Sequence, residues 1–108
     1  MTTILIFCTQ TSVFANEQDF QLVNHSEKNI FGVYCSQVYN ENWEENLLGN
    51  DILEDNMAVN IHFDMFEKQQ FWDIRIVYEG GSEVIWRNID LFKIQKITVH
   101  GDGSTEFL

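Results

Sequence analysis

Residues 72–87 hold two runs of alternating apolar and polar side chains, divided by a pair of glycines. In the first run Trp72, Ile74, Ile76 and Tyr78 alternate with Asp73, Arg75, Val77 and Glu79; after Gly80–Gly81 comes Ser82–Glu83–Val84–Ile85–Trp86–Arg87. A period of two belongs to a half-buried strand, and two glycines between such runs supply the positive φ that a tight hairpin requires. The spacing therefore predicts a β-hairpin with Trp72 and Trp86 on apolar faces. Asp73, Arg75, Glu79, Glu83 and Arg87 fall on outward faces, where opposite charges pair across strands.

Similar patterns recur along the chain. Met57, Val59, Ile61 and Phe63 share one face, with Asn60, His62 and Asp64 on the other. Residues 19–24 and 30–38 are expected to pair across the polar turn at 24–29, and Ile94, Ile97 and Val99 mark a last strand before a frayed tail at 101–104. One stretch departs from alternation. Asn42 can cap a helix, Glu44 and Glu45 suit its first turn, and Gly49 can end it. With 108 residues, 44% of them hydrophobic and 14% aromatic, the chain can fill one core and no more. The expected fold is all-β: a small antiparallel sandwich or barrel of five to seven strands with one short helix or helical turn.

Residues 1–16 carry no Asp, Glu, Lys or Arg. An apolar stretch opens at Ile4, and Val13–Phe14–Ala15 places small residues where a leader peptidase reads them, followed at once by Asn16, Glu17 and Asp19. A secretory leader over 1–15 and a single domain over 16–108 are expected, with a periplasmic or secreted destination. The basic region of such a leader is missing, so a first strand of the domain is the alternative. The apolar run is too short to span a bilayer and is broken by Thr9–Gln10–Thr11–Ser12. Phe7 before Cys8 argues against lipid attachment. Cys35, within the apolar-rich run 30–35, reads as a buried structural thiol.

Seventeen acidic and six basic residues give a net charge of −11. Such a surface disfavours nucleic acid and anionic lipid, both of which need a basic patch. Acid concentrates in residues 40–56, which hold six carboxylates, five asparagines and no Lys or Arg. Carboxylate and amide oxygens suit a hard cation such as Ca²⁺, with Asp51, Glu54 and Asp55 as candidate ligands, although the spacing matches no EF-hand loop. The other role for the segment is as a solvated face or a docking surface for a basic protein partner, formed by Trp43, Glu44, Glu45, Asp51, Glu54 and Asp55. His25, His62 and His100 lie apart without metal spacing, and neither a Gly-x-Ser-x-Gly elbow nor a glycine-rich phosphate loop occurs. No catalytic site and no cofactor is expected from these residues. The favoured reading is a non-enzymatic exported binding module with an acidic surface; a Ca²⁺-dependent or carbohydrate-binding β domain using Trp43 is the alternative.

The order Asp19–Phe20–Gln21–Leu22–Val23–Asn24, then 30–36, then Trp43 to Gly49, then Trp72–Asp73–Ile74–Arg75 resembles a group of small exported bacterial proteins without an established activity. The likeness spans about residues 19–99 and rests on hydrophobic, structural motifs. It implies export and a single β domain, and carries over no site. Members of the group often have two cysteines where this chain has Gln70 and Phe92, so the bridge those would imply is missing here.

Overall fold

The computed structural model describes residues 3–7, 17–38, 42, 43, 45–63 and 69–108. Asp64 and the Val13–Phe14–Ala15 site lie outside them. In chain order the strands are β1 (Thr3–Phe7), β2 (Phe20–His25), β3 (Ile30–Gln37), β4 (Ala58–His62), β5 (Phe71–Tyr78), β6 (Glu83–Asp90), β7 (Lys96–His100) and β8 (Thr105–Phe107). They make a five-stranded sheet in the order β1-β4-β2-β7-β8 and a three-stranded sheet in the order β3-β5-β6. Alternate residues of both sheets meet in one core: Phe20, Leu22, Val59, Ile61, Ile97 and Val99 from the larger, Val33, Trp72, Ile74 and Ile76 from the smaller. The fold is thus an all-β open sandwich, and no helix occurs among the described residues. The helix expected near 42–49 is realised only as turns, with Gly49 N donating to Asn46 O and Asp51 N to Leu48 O.

The hairpin forms as β5 and β6, with Gly80 at φ 94° and Gly81 at φ 96°. Its outward charges are arranged differently from the simple alternation. Arg75 pairs with Glu83 at 2.8 Å on the surface, but Asp73 is buried at 4% exposure. The cause is a bulge. Trp72 faces Ile89 and Ile74 faces Trp86, so the single residue Asp73 stands opposite both Arg87 and Asn88. A bulge leaves backbone groups outside the ladder. Here Asp73 accepts Asn88 N–H at 2.9 Å and Arg87 Nη1 at 2.9 Å, while Asn88 takes the left-handed φ of 58°.

Two further expectations are corrected. β2 and β3 do not pair with each other; they belong to different sheets. The chain turns the corner between them on the buried side chain of Asn24, whose Oδ1 accepts Ser26 N–H and Ser26 Oγ–H and whose Nδ2 donates to Lys28 O. The larger sheet is also not purely antiparallel, because β2 runs parallel to β7, from Gln21 opposite Lys96 to His25 opposite His100. Beyond β7 the expected frayed tail is instead a turn followed by β8, which pairs back on β7. At the other margin Thr3–Phe7 takes the strand form, antiparallel to β4 over the whole of that strand.

Trp72 is core, 4% exposed, with its ring 4.7 Å from that of Phe63 and Nε1 donating to Gln69 O. Trp86 is only half-buried, packed edge-on against Phe107 at 5.6 Å. The expected equivalence of the two rings therefore fails, since β6 and β8 are the margins of their sheets and bury less surface. Trp72→Ala is expected to cost about 3–5 kcal/mol. Trp86→Ala should cost less, about 1–3 kcal/mol, because less of its surface leaves water. Denaturant melts of both variants check the order; equal losses would contradict it.

In the β7–β8 turn, Asp102 accepts Ser104 Oγ–H at 2.6 Å and Ser104 N–H at 2.9 Å. These bonds hold its carboxyl below the ordinary aspartate range, the side-chain bond having the larger effect. A depressed carboxylate adds stability that is present above its unfolded pKa and lost as pH falls through its folded one. Acidification below about pH 4 should then lower the protection factors of the Glu106 and Leu108 amides, which face β7, in wild type. Ser104→Ala should show fast exchange there already at neutral pH.

Candidate functional site

The acidic segment is fastened along the free edge of β3. Asn46 does most of this: its Oδ1 accepts Val33 N–H at 3.0 Å and Leu48 N–H at 3.0 Å, and its Nδ2 donates to Phe31 O at 2.8 Å. Leu47 N donates to Val33 O, and further on Ile30 and Leu53 exchange both backbone bonds at 2.9 Å. Leu48 and Leu53 turn inward to the core at 3% and 0% exposure. A segment that reads as a charged loop is thus a cover strip over a sheet edge, and edges of this kind would otherwise be open to pairing with other chains.

Because successive residues of an extended strand point to opposite sides, burying Ile30 and Leu53 turns Phe31 and Ile52 outward. They are 42% and 46% exposed and flank the same bridged pair. Asp51 and Glu54, on either side of Ile52 and Leu53, are exposed, as is Glu45. The result is an apolar centre with an acidic border. A shallow cleft of about 320 Å³ lined by Glu27, Lys28, Asn29 and Glu79 adjoins it, tied in through Glu27 N–H donating to Asp55 Oδ1 at 3.0 Å.

The expected site residues are therefore placed unevenly. Glu45, Asp51 and Glu54 face solvent, while Asp55 is half-buried and anchors the backbone of Glu27. Glu44 lies outside the described residues. Trp43 is half-buried, with the Arg87 guanidinium 5.9 Å from its ring centre; the same Arg87 holds Asp73, so the start of the segment reaches the β5–β6 bulge. A second arginine repeats the theme, Arg75 lying 5.1 Å from the Tyr34 ring while paired to Glu83. Such contacts of guanidinium with aromatic faces contribute about 0.5–1 kcal/mol at exposed sites.

Asp51, Glu54 and Asp55 are not brought together as a ligand set: among the described residues no group of three or more His, Cys, Asp or Glu could hold a metal ion. The histidines are used in pairs. Buried Asp19 accepts Phe63 N–H at 2.7 Å and stands 3.1 Å from His62 Nδ1. His25 and His100 stack at 6.2 Å, with His100 Nε2 2.7 Å from Glu106. Cys35 is half-buried against the core, not fully buried as expected. The apolar run 30–35 concealed Phe31: it stands at the register shift between Ile30 and Gly32, which leaves it outward while Ile30 and Val33, three residues apart, both face the core. No family model, curated protein or solved structure matches the chain.

Asn46→Ala should destabilise the protein by about 1–3 kcal/mol, because it strands Val33 N–H and Phe31 C=O at a covered edge. Amide exchange at Leu47 and Leu53 should rise with it. An Asn46→Ala protein with unchanged stability and exchange would show that the strip is held by Leu48 and Leu53 alone.

Proposed function

We propose that this chain is a non-enzymatic, exported interaction module that meets a basic protein partner through the strip covering β3. The observation that carries the reading is the pair Phe31 and Ile52, two large apolar side chains exposed by more than two-fifths each inside a border of carboxylates. Interfaces draw affinity from a desolvated apolar centre, and charged rims set the rate of encounter and the choice of partner. The absence of any Lys or Arg between residues 28 and 68 leaves the strip itself without a positive charge of its own. Export is supported by the charge-free residues 1–16, the Val13–Phe14–Ala15 pattern and the resemblance to small exported β proteins.

A photo-reactive residue at position 52, introduced in the producing cell, tests the reading. One predominant protein adduct is expected; it should disappear in about 1 M salt, where charge attraction is screened within about 3 Å. It should also weaken in the double variant Asp51→Asn, Glu54→Gln. The same label at exposed Lys93, in the turn between β6 and β7 beyond Asp90 and at the other end of the smaller sheet from Ile30, should give none. Identical adducts at both positions would sink the docking surface. N-terminal sequencing of the exported chain should begin at Asn16, and an intact Met1 would remove the export part.

A further inference from the structure

We propose that β4 is a strand-acceptor edge: once residues 1–15 have been removed, it takes up an extended segment of another protein in the place that β1 holds here. The inference rests on the export reading above. β4 lies between β1 and β2, and β1 covers all of it, from Thr3 opposite His62 to Phe7 opposite Ala58. Removing that strand leaves a row of backbone N–H and C=O groups without partners along one side of β4.

Sheet edges are normally protected, and the described residues show how this chain protects others. The edge of β3 is covered by the Asn46 strip. β6 carries a bulge at Arg87 and Asn88, and β8 is only three residues long. Among the described residues β4 has none of these devices. Its register to both neighbours is free of bulges, it contains no proline, Lys or Arg, and Ala58, Val59, Asn60 and Ile61 are all buried. A flat, apolar, unprotected edge is a template for strand addition.

The pairing register also states what the incoming segment must look like. Ile4 and Ile6 stand opposite Ile61 and Val59, both fully buried core members. The added strand therefore needs apolar residues at two alternate positions, antiparallel to β4. A second copy of this chain is the poorer occupant, since all 17 acidic residues lie beyond residue 16 and two copies would repel.

The test uses the full chain produced in an exporting host and the processed protein recovered from it. The probe is a synthetic peptide of residues 2–7 with lysines appended for solubility. Amides on the open side of β4 should exchange at least about tenfold more slowly when peptide is added. A peptide carrying Ile4→Asp and Ile6→Asp should give no protection. If the processed protein is unfolded alone, folding induced by the first peptide and not by the second supports the proposal. Absence of both protection and folding overturns it. So does a concentration-dependent dimer that protects the same amides without peptide. A sequenced N-terminus at Met1 overturns it through loss of the export reading; a start at Asn16 with no peptide effect leaves export standing and removes only the edge assignment.

Discussion

The buried amide of Asn24 is the point on which the sandwich turns. With 0% exposure it spends all its polar capacity on the protein: Oδ1 on Ser26, Nδ2 on the carbonyls of Lys28 and Leu53. Its own backbone also exchanges bonds with Asn56 and Met57. One residue therefore fixes the exit from β2, the entry to β3 and the end of the acidic strip. Replacing such a group by an apolar one would strand several buried partners at once, each costing about 1–3 kcal/mol. The sheets can face one another because this corner has a single geometry.

The acidic strip follows from that corner and from a division of labour along its length. The Asn46 amide makes the bonds, Leu48 and Leu53 fill the core, Glu45, Asp51 and Glu54 stay in water, and Asp55 takes a backbone N–H. Asparagine suits this work because it donates and accepts together without bringing a charge to a buried edge. Asn46 and the exposed carboxylates thus have opposite tasks, the first holding the strip down and Glu45, Asp51 and Glu54 facing out.

What was legible in the sequence was what local periodicity carries. The hairpin around Gly80–Gly81 and the inward set Val59, Ile61 and Phe63 stand where alternation puts them. Pairing between distant strands left no such mark. Nothing local in residues 20–25 distinguishes β3 from β4 or β7 as a partner, so the parallel β2–β7 pair was invisible. Asp73 keeps its alternating place between Trp72 and Ile74 and pairs with Arg87 across the strands; what periodicity does not show is the β6 bulge, whose Arg87 and Asn88 both bond to it and bury it. The strip over β3 is hidden for another reason: Asn46 falls inside a short helix that Asn42 would cap and Gly49 would end, until the unpaired edge that it satisfies is known. Of the candidate site residues, the exposed carboxylates were legible from charge, whereas Phe31 and Ile52 required the Ile30–Leu53 bridge.

The parallel pairing of β2 with β7 has a kinetic consequence. Residue 21 finds its partner only at residue 96, and the larger sheet cannot close until nearly the whole chain is available. The hairpin of β5 and β6, by contrast, can form as soon as its turn exists. Loop-closure entropy must be met before such distant contacts return anything, so folds of this kind assemble slowly. During synthesis the N-terminal half would wait, β2 unpartnered on one side, for the last strands to arrive.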